Sequence, residues 1–106
     1  MTTGETILAQ LGGSGRLTAM LGARKFLQGP SYIQFDIKAK ALLGIKRIKI
    51  TLNGRDTYDI TYFHRKKVDH GGFFMMDWVE RCKDVDVYVE SLILRLEDLT
   101  GLAWRL

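Results

Sequence analysis

The chain reads as an α+β protein: two short N-terminal helices, a four-stranded antiparallel meander, and a C-terminal helix packed on one face of the sheet. Three observations predict this. Residues 31–38 alternate apolar and polar with period two, the pattern of a half-buried strand. Residues 45–63, IKRIKITLNGRDTYDITYF, hold two more alternating runs around Asn53-Gly54, which reads as a hairpin. Both ends of the chain carry apolar residues three and four apart, closed by glycines, as amphipathic helices do.

Taken in order, Thr2 and Glu5 have capping-box spacing ahead of Ile7, Leu8 and Leu11, and Gly12-Gly13 stops that helix. Ser14 caps a second one, with Leu17, Met20 and Leu21 on one side and Gly22 after them. Helices this short do not stand alone in water, so both should dock on the sheet. In the first strand Ile33, Phe35 and Ile37 face one way, and Tyr32, Gln34, Asp36 and Lys38 the other. Residues 39–44 connect it to the hairpin. There Ile48, Ile50 and Leu52 alternate with Arg47, Lys49 and Thr51, and Tyr58, Ile60 and Tyr62 with Asp59, Thr61 and Phe63.

Register decides the turn. A two-residue Asn53-Gly54 loop would set Ile50 opposite Thr57 and Ile48 opposite Asp59, which a sheet with one buried face forbids. A loop of three or five residues, with Gly54 at positive φ, matches Ile48 and Ile50 to the Tyr58–Ile60 face. Arg47, Lys49 and Thr51 then lie beside Asp59 and Thr61, which partly neutralise them across the strands. His70-Gly71-Gly72 forms the next turn. Residues 73–79, FFMMDWV, lack clean alternation and fit either a short helix or a strand buried on both faces. Their aromatic and Val content and flanking glycines favour the strand. Asp84 then caps a helix carrying Val85, Val89, Leu92, Leu96 and Leu99, ended by Gly101, although Val85, Val87 and Val89 also alternate.

At 106 residues, with 46% apolar and 26% charged content, a single domain over 1–106 is expected. One proline and no low-complexity run argue against disorder. The lone Cys82 excludes an intramolecular disulfide and fits a reducing compartment. No apolar run reaches 18 residues and MTTGETILAQ has no basic stretch, so neither a spanning helix nor a signal peptide is expected. The cytoplasm is the expected location.

The net charge of +4 hides a gradient. From Lys38 to Lys67 nine cations face two acids; from Asp69 to Asp98 eight acids face three cations. A basic segment attracts polyanions, while an adjacent acidic one favours a bipolar protein partner or self-association. The chemistry-bearing motifs are weak. Leu11–Arg16, LGGSGR, lacks the lysine and preceding strand of a phosphate loop and reads as a helix–helix turn. His64, His70 and Cys82 lack metal-ligand spacing, and no serine or acid stands at triad spacing. His64 reads as a strand end and Cys82 as a small buried hydrophobe. Asp56 and Asp59 do not form a hydrolase carboxylate pair; Asp56 reads as a turn acceptor, and Asp84 and Asp86 as acids at a helix start. No enzyme, metal or cofactor is expected. The candidate surfaces are two. Arg47, Lys49, Arg55, Arg65, Lys66 and Lys67 form a basic surface suited to nucleic acid or an acidic partner. Residues 73–78 are apolar enough for the core, or else Phe74, Met76 and Trp78 form a partner or dimer interface.

Five motifs carry a family resemblance: Gln10–Gly13 (QLGG), Met20–Phe26 (MLGARKF), Lys49–Asn53 (KITLN), Asp56–Asp59 (DTYD) and Thr100–Leu102 (TGL). In order and spacing they resemble a group of small uncharacterised bacteriophage and prophage proteins. The chain departs from that pattern at Leu21, where threonine is commoner, and in its more apolar residues 73–78. The resemblance brings no catalytic residues. It implies a mobile-element setting, in which a small protein binds and modulates a host protein complex, including inhibition of host defence in the manner of an anti-CRISPR. The alternative is a nucleic-acid-binding accessory protein that uses the basic sheet face.

Overall fold

The computed structural model describes residues 3–102, so Thr2 and its capping box lie outside the described residues. The order is α1 (Thr3–Gln10), α2 (Ser14–Leu21), β1 (Arg24–Gln28), β2 (Tyr32–Asp36), a 3-10 turn, β3 (Arg47–Leu52), β4 (Tyr58–Asp69), β5 (Phe74–Val87), a second 3-10 turn and α3 (Leu92–Thr100). The strands form one antiparallel meander in sequence order. It has five strands where the alternation predicted four. The added one, β1, is an edge strand on which only Phe26 turns inward, its ring tilted against Phe35 with centroids 5.5 Å apart, so no period-two signal exists.

One face of the sheet is sealed. Ile33, Phe35, Ile48, Ile50, Ile60 and Tyr62 have no meaningful exposure and pack against Ile7 of α1 and Leu11 just after it, Leu17 and Leu21 of α2, and Leu92 and Leu96 of α3. The β3–β4 loop has five residues, pairing Leu52 with Tyr58, Ile50 with Ile60 and Ile48 with Tyr62. The positive φ falls on Asp56 rather than on Gly54. Asn53, not Asp56, is the turn acceptor: its Oδ1 takes the Arg55 amide at 2.8 Å. At the second helix the cap position is Gly13 rather than Ser14, which is the first helical residue. Gly22 ends that helix at φ 65°, and a side chain there would meet Lys38 Cβ at 2.7 Å.

β5 is the main correction. It runs 14 residues, through the segment where Asp84 was expected to start a helix. Register shifts near Cys82 and before Val87 change which residues face inward, so the valine and leucine spacing imitates a helix. Asp84 and Asp86 therefore lie on a strand, not at a helix start. α3 begins only at Leu92, and it ends, as expected, at a left-handed Gly101. β4 and β5 also outrun the rest of the sheet. β3 reaches only as far as Phe63, so residues 64–79 project as a two-stranded ribbon, turned by Gly71 and Gly72 at positive φ. The ribbon gives the molecule its 45 Å long axis and a radius of gyration of 14.1 Å, above the ~13 Å of a compact chain this size. His64 lies within β4, not at a strand end.

Candidate functional site

Cross-strand register places side chains on faces, because residues opposite one another share a side. The outer face takes Tyr32, Gln34 and Asp36 from β2 and Arg47, Lys49 and Thr51 from β3. Phe63, Arg65 and Lys67 continue it along β4, with Trp78 opposite Arg65, Met76 opposite Lys67 and Phe74 opposite Asp69. Two sets of residues that are separate in sequence, the cations and the apolar run, thus meet on one surface. Neither forms core: Phe73, Phe74, Met75 and Met76 are each at least half exposed, which overturns the expectation that residues 73–78 are buried on both faces.

The pairing is specific. The Arg47 guanidinium lies 3.9 Å from the Trp78 ring centroid, with Arg65 at 5.4 Å. Lys49 Nζ stands 4.5 Å from Tyr32, and Lys67 Nζ 4.7 Å from Phe74. Each contact draws a cation onto the negative face of a ring. Arg47 is also fixed by Asp36, Nε to Oδ1 at 2.6 Å, and the Asp36 side chain is only 7% exposed. Asp36, rather than Asp59, is therefore what neutralises β3. Asp59 is turned to the loop, where its Oδ1 accepts from the Asp86 amide at 3.2 Å and from Asn53 Nδ2 at 3.1 Å.

Two predicted cations fall elsewhere. Arg55 sits at the far end of the sheet, 3.2 Å from Asp86. Lys66 lies on the opposite side of the ribbon, facing Asp77, whose Oδ2 is 2.7 Å from His70 Nε2. Several acids of the C-terminal third have partners of their own: Asp84 holds Arg95 at 2.8 Å, Asp86 holds Arg55 and Asp77 meets His70. Cys82 is half-buried, and burial, reinforced by Asp84, pushes its thiol up, away from nucleophilic thiolate character. Among the described residues no cluster of three or more potential metal ligands occurs.

The sequence reading missed Arg24, Lys25 and Lys46. All three line a cleft with Arg65 and Trp78 where the ribbon leaves the sheet. Adjacent basic pairs, Arg24-Lys25 and Lys46-Arg47, were the available signal. Without β1 in the topology nothing brought the two pairs together. No family model, curated protein or solved structure matches this chain. No helix among the described residues is long and apolar enough to cross a membrane.

Proposed function

We propose that this chain is a non-catalytic binding protein whose outer sheet face and ribbon hold single-stranded nucleic acid. One observation carries the reading: Lys49, Arg47, Arg65 and Lys67 are interleaved with Tyr32, Trp78 and Phe74 on one solvent-facing surface, each ring within 5.4 Å of a cation. Cations track a phosphate backbone while rings stack on bases, and a base exposes its ring face only when it is out of a duplex. In this reading the tyrosines of β4 have no part, since Tyr58 and Tyr62 belong to the core. The motif resemblance supports a bacteriophage or prophage setting for this reading, with the protein acting in the cytoplasm of a bacterial host.

The test is binding of labelled single-stranded DNA and RNA by fluorescence anisotropy across a salt series. About five phosphate contacts give a log–log slope near −3.5 on a single strand. Lys49→Glu with Lys67→Glu should abolish measurable binding while leaving the thermal midpoint in place. Absence of binding at low salt, or binding indifferent to salt, overturns the reading.

A second reading, modulation of a host protein complex such as a defence complex, is favoured by the other side of the ribbon tip. There Phe73 and Met75 are 57% and 51% exposed, next to no cation of the stacked set. Large apolar groups at an exposed tip are adaptable anchors for a protein groove. Nuclease-resistant capture of one host protein, lost on Phe73→Asp with Met75→Asp, supports this reading; nuclease-sensitive capture removes it.

A further inference from the structure

The shoulder between the sheet and the ribbon differs from the open face beside it. Arg24, Lys25, Lys46 and Arg65, with Asp36 and Trp78, line a cleft of about 180 Å³. Asp36, the one acid there, is already held by two hydrogen bonds from Arg47, at 2.6 and 3.3 Å. Among the described residues no carboxylate pairs with Arg24, Lys25, Lys46 or Arg65. Four cations thus share one small concavity with a single carboxylate, Asp36, which Arg47 already engages through both oxygens.

The backbone is arranged to bring them there. In a regular strand Arg24 and Lys25 would point to opposite faces. Lys25 instead adopts φ 56°, and the register of β1 slips between Arg24 and Leu27, so that both residues line the cleft. A bulge of this kind re-aims a side chain, and left-handed geometry at a lysine has a cost that a role for the side chain explains. Lys46 is anchored by its amide to the Phe63 carbonyl at 2.9 Å, and Arg65 stands two residues beyond Phe63 on β4.

The chemistry that matches is a multiply charged oxyanion. A carboxylate brings one negative charge, whereas a phosphomonoester brings about 1.5 to 2 at neutral pH and three acceptor oxygens. Two guanidinium forks and two ammonium groups suit those oxygens. The cleft is well below the roughly 300 Å³ at which sites take a whole drug-sized ligand, so the phosphoryl group enters and the remainder stays outside. Outside lies the cation–aromatic face, with Trp78 shared by both.

We propose that this cleft holds the terminal phosphate of a single strand whose following nucleotides run onto the outer face. The proposal rests on the nucleic-acid reading above and names the end of the ligand that the protein recognises. The test uses one internally labelled single-stranded decamer in three forms: without terminal phosphate, with a 5′-phosphate and with a 3′-phosphate. One phosphorylated form should bind about ten-fold tighter than the bare strand, the worth of one net charged hydrogen bond. In Lys25→Asn with Lys46→Gln, the first of which tolerates the left-handed backbone, that gain should vanish, while the bare strand still binds and the circular dichroism is unchanged. Equal binding of all three forms overturns the cleft assignment and leaves the nucleic-acid reading standing. Failure of every form to bind removes both. Full competition by inorganic phosphate or a nucleoside monophosphate, at concentrations matching the phosphorylated decamer, overturns the strand-end assignment in favour of a free anion.

Discussion

The two faces of this sheet are made from the same strands yet use their residues in opposite ways. On the inner face Ile33, Ile48, Ile50, Ile60 and Tyr62 are wholly buried under three helices. On the outer face Tyr32, Gln34, Lys49, Thr51 and Thr61 remain partly open, and the ribbon carries that surface past the body. Large apolar side chains occur on both, but only those of the inner face are fully removed from water by folding, while Tyr32, Phe63 and Trp78 outside are half-buried. Free energy of folding therefore concentrates on one side, and the other is left largely open to solvent. Residues 73–76 can be as apolar as a core strand without contributing to the core, because among the described residues no third strand or helix covers the ribbon.

The sharpest way to break this division is to truncate one residue from each side. Ile60→Ala removes a fully buried side chain beneath the helices, and urea denaturation should show a loss of about 2–5 kcal/mol. Phe74→Ala removes a ring that is 60% exposed, and should change stability by no more than about 0.5 kcal/mol. The same Phe74 change should weaken single-strand binding about ten-fold, in line with the ~1–3 kcal/mol of one base–aromatic stack. Comparable losses of stability in the two variants would show that the ribbon is part of the folded core after all.

How far these faces were legible in the sequence follows from where period two survives. Ile33, Phe35, Ile48, Ile50, Ile60 and Tyr62 alternate without interruption, so their burial and the odd-numbered β3–β4 loop could be read directly. Alternation fails in β1, a mostly exposed edge strand, and in β5, where two register shifts break the phase. There the local pattern was a poor guide: Val85 is 61% exposed on a strand although it holds a helical position in the spacing. The cations of the site were visible as charges. Their pairing with Trp78 and Phe74 was not, because it depends on the register of a hairpin whose second strand read as core. Arg24 and Lys25 were invisible as a site, because only the bulge in β1 turns both toward Lys46 and Arg65.

A third substitution probes the boundary between the faces. Asp36 is the one buried side chain on the outer side, and its carboxylate ties Arg47 to the sheet under Trp78. Asp36→Asn keeps the shape but replaces a two-point ion pair with at best one hydrogen bond from Arg47 to an amide oxygen, and leaves the part-buried Arg47 without a counter-ion. The expected loss of stability is about 1–3 kcal/mol. The same change frees one positive charge on the outer face, so affinity for a single strand should rise several-fold at low salt. Opposite signs in the two measurements sharpen the division between a stabilising and a binding face. A loss in both would mean that Arg47 serves binding through its position rather than its charge.

The smallest effect comes from a polar irregularity of the inner face. The Tyr62 hydroxyl is buried with no hydrogen-bond partner in good geometry. Burial, with the Asp84 charge adding to it, holds its phenol far above the ordinary value of about 10. A group whose folded pKa is raised keeps its proton in the native state after the unfolded chain has lost it. Its contribution is therefore intact below about pH 10 and falls as pH rises beyond, by roughly 1.4 kcal/mol per pH unit. Urea midpoints at pH 8, 10 and 11 should drop accordingly in the parent chain, and the drop should be shallower by that slope in Tyr62→Phe. At pH 7 the same variant should gain up to about 1 kcal/mol, since it removes a desolvated hydroxyl and leaves the packed ring in place. A loss at pH 7 would mean that the hydroxyl is satisfied by Asp84, and that the inner face depends on a polar contact as the outer face does.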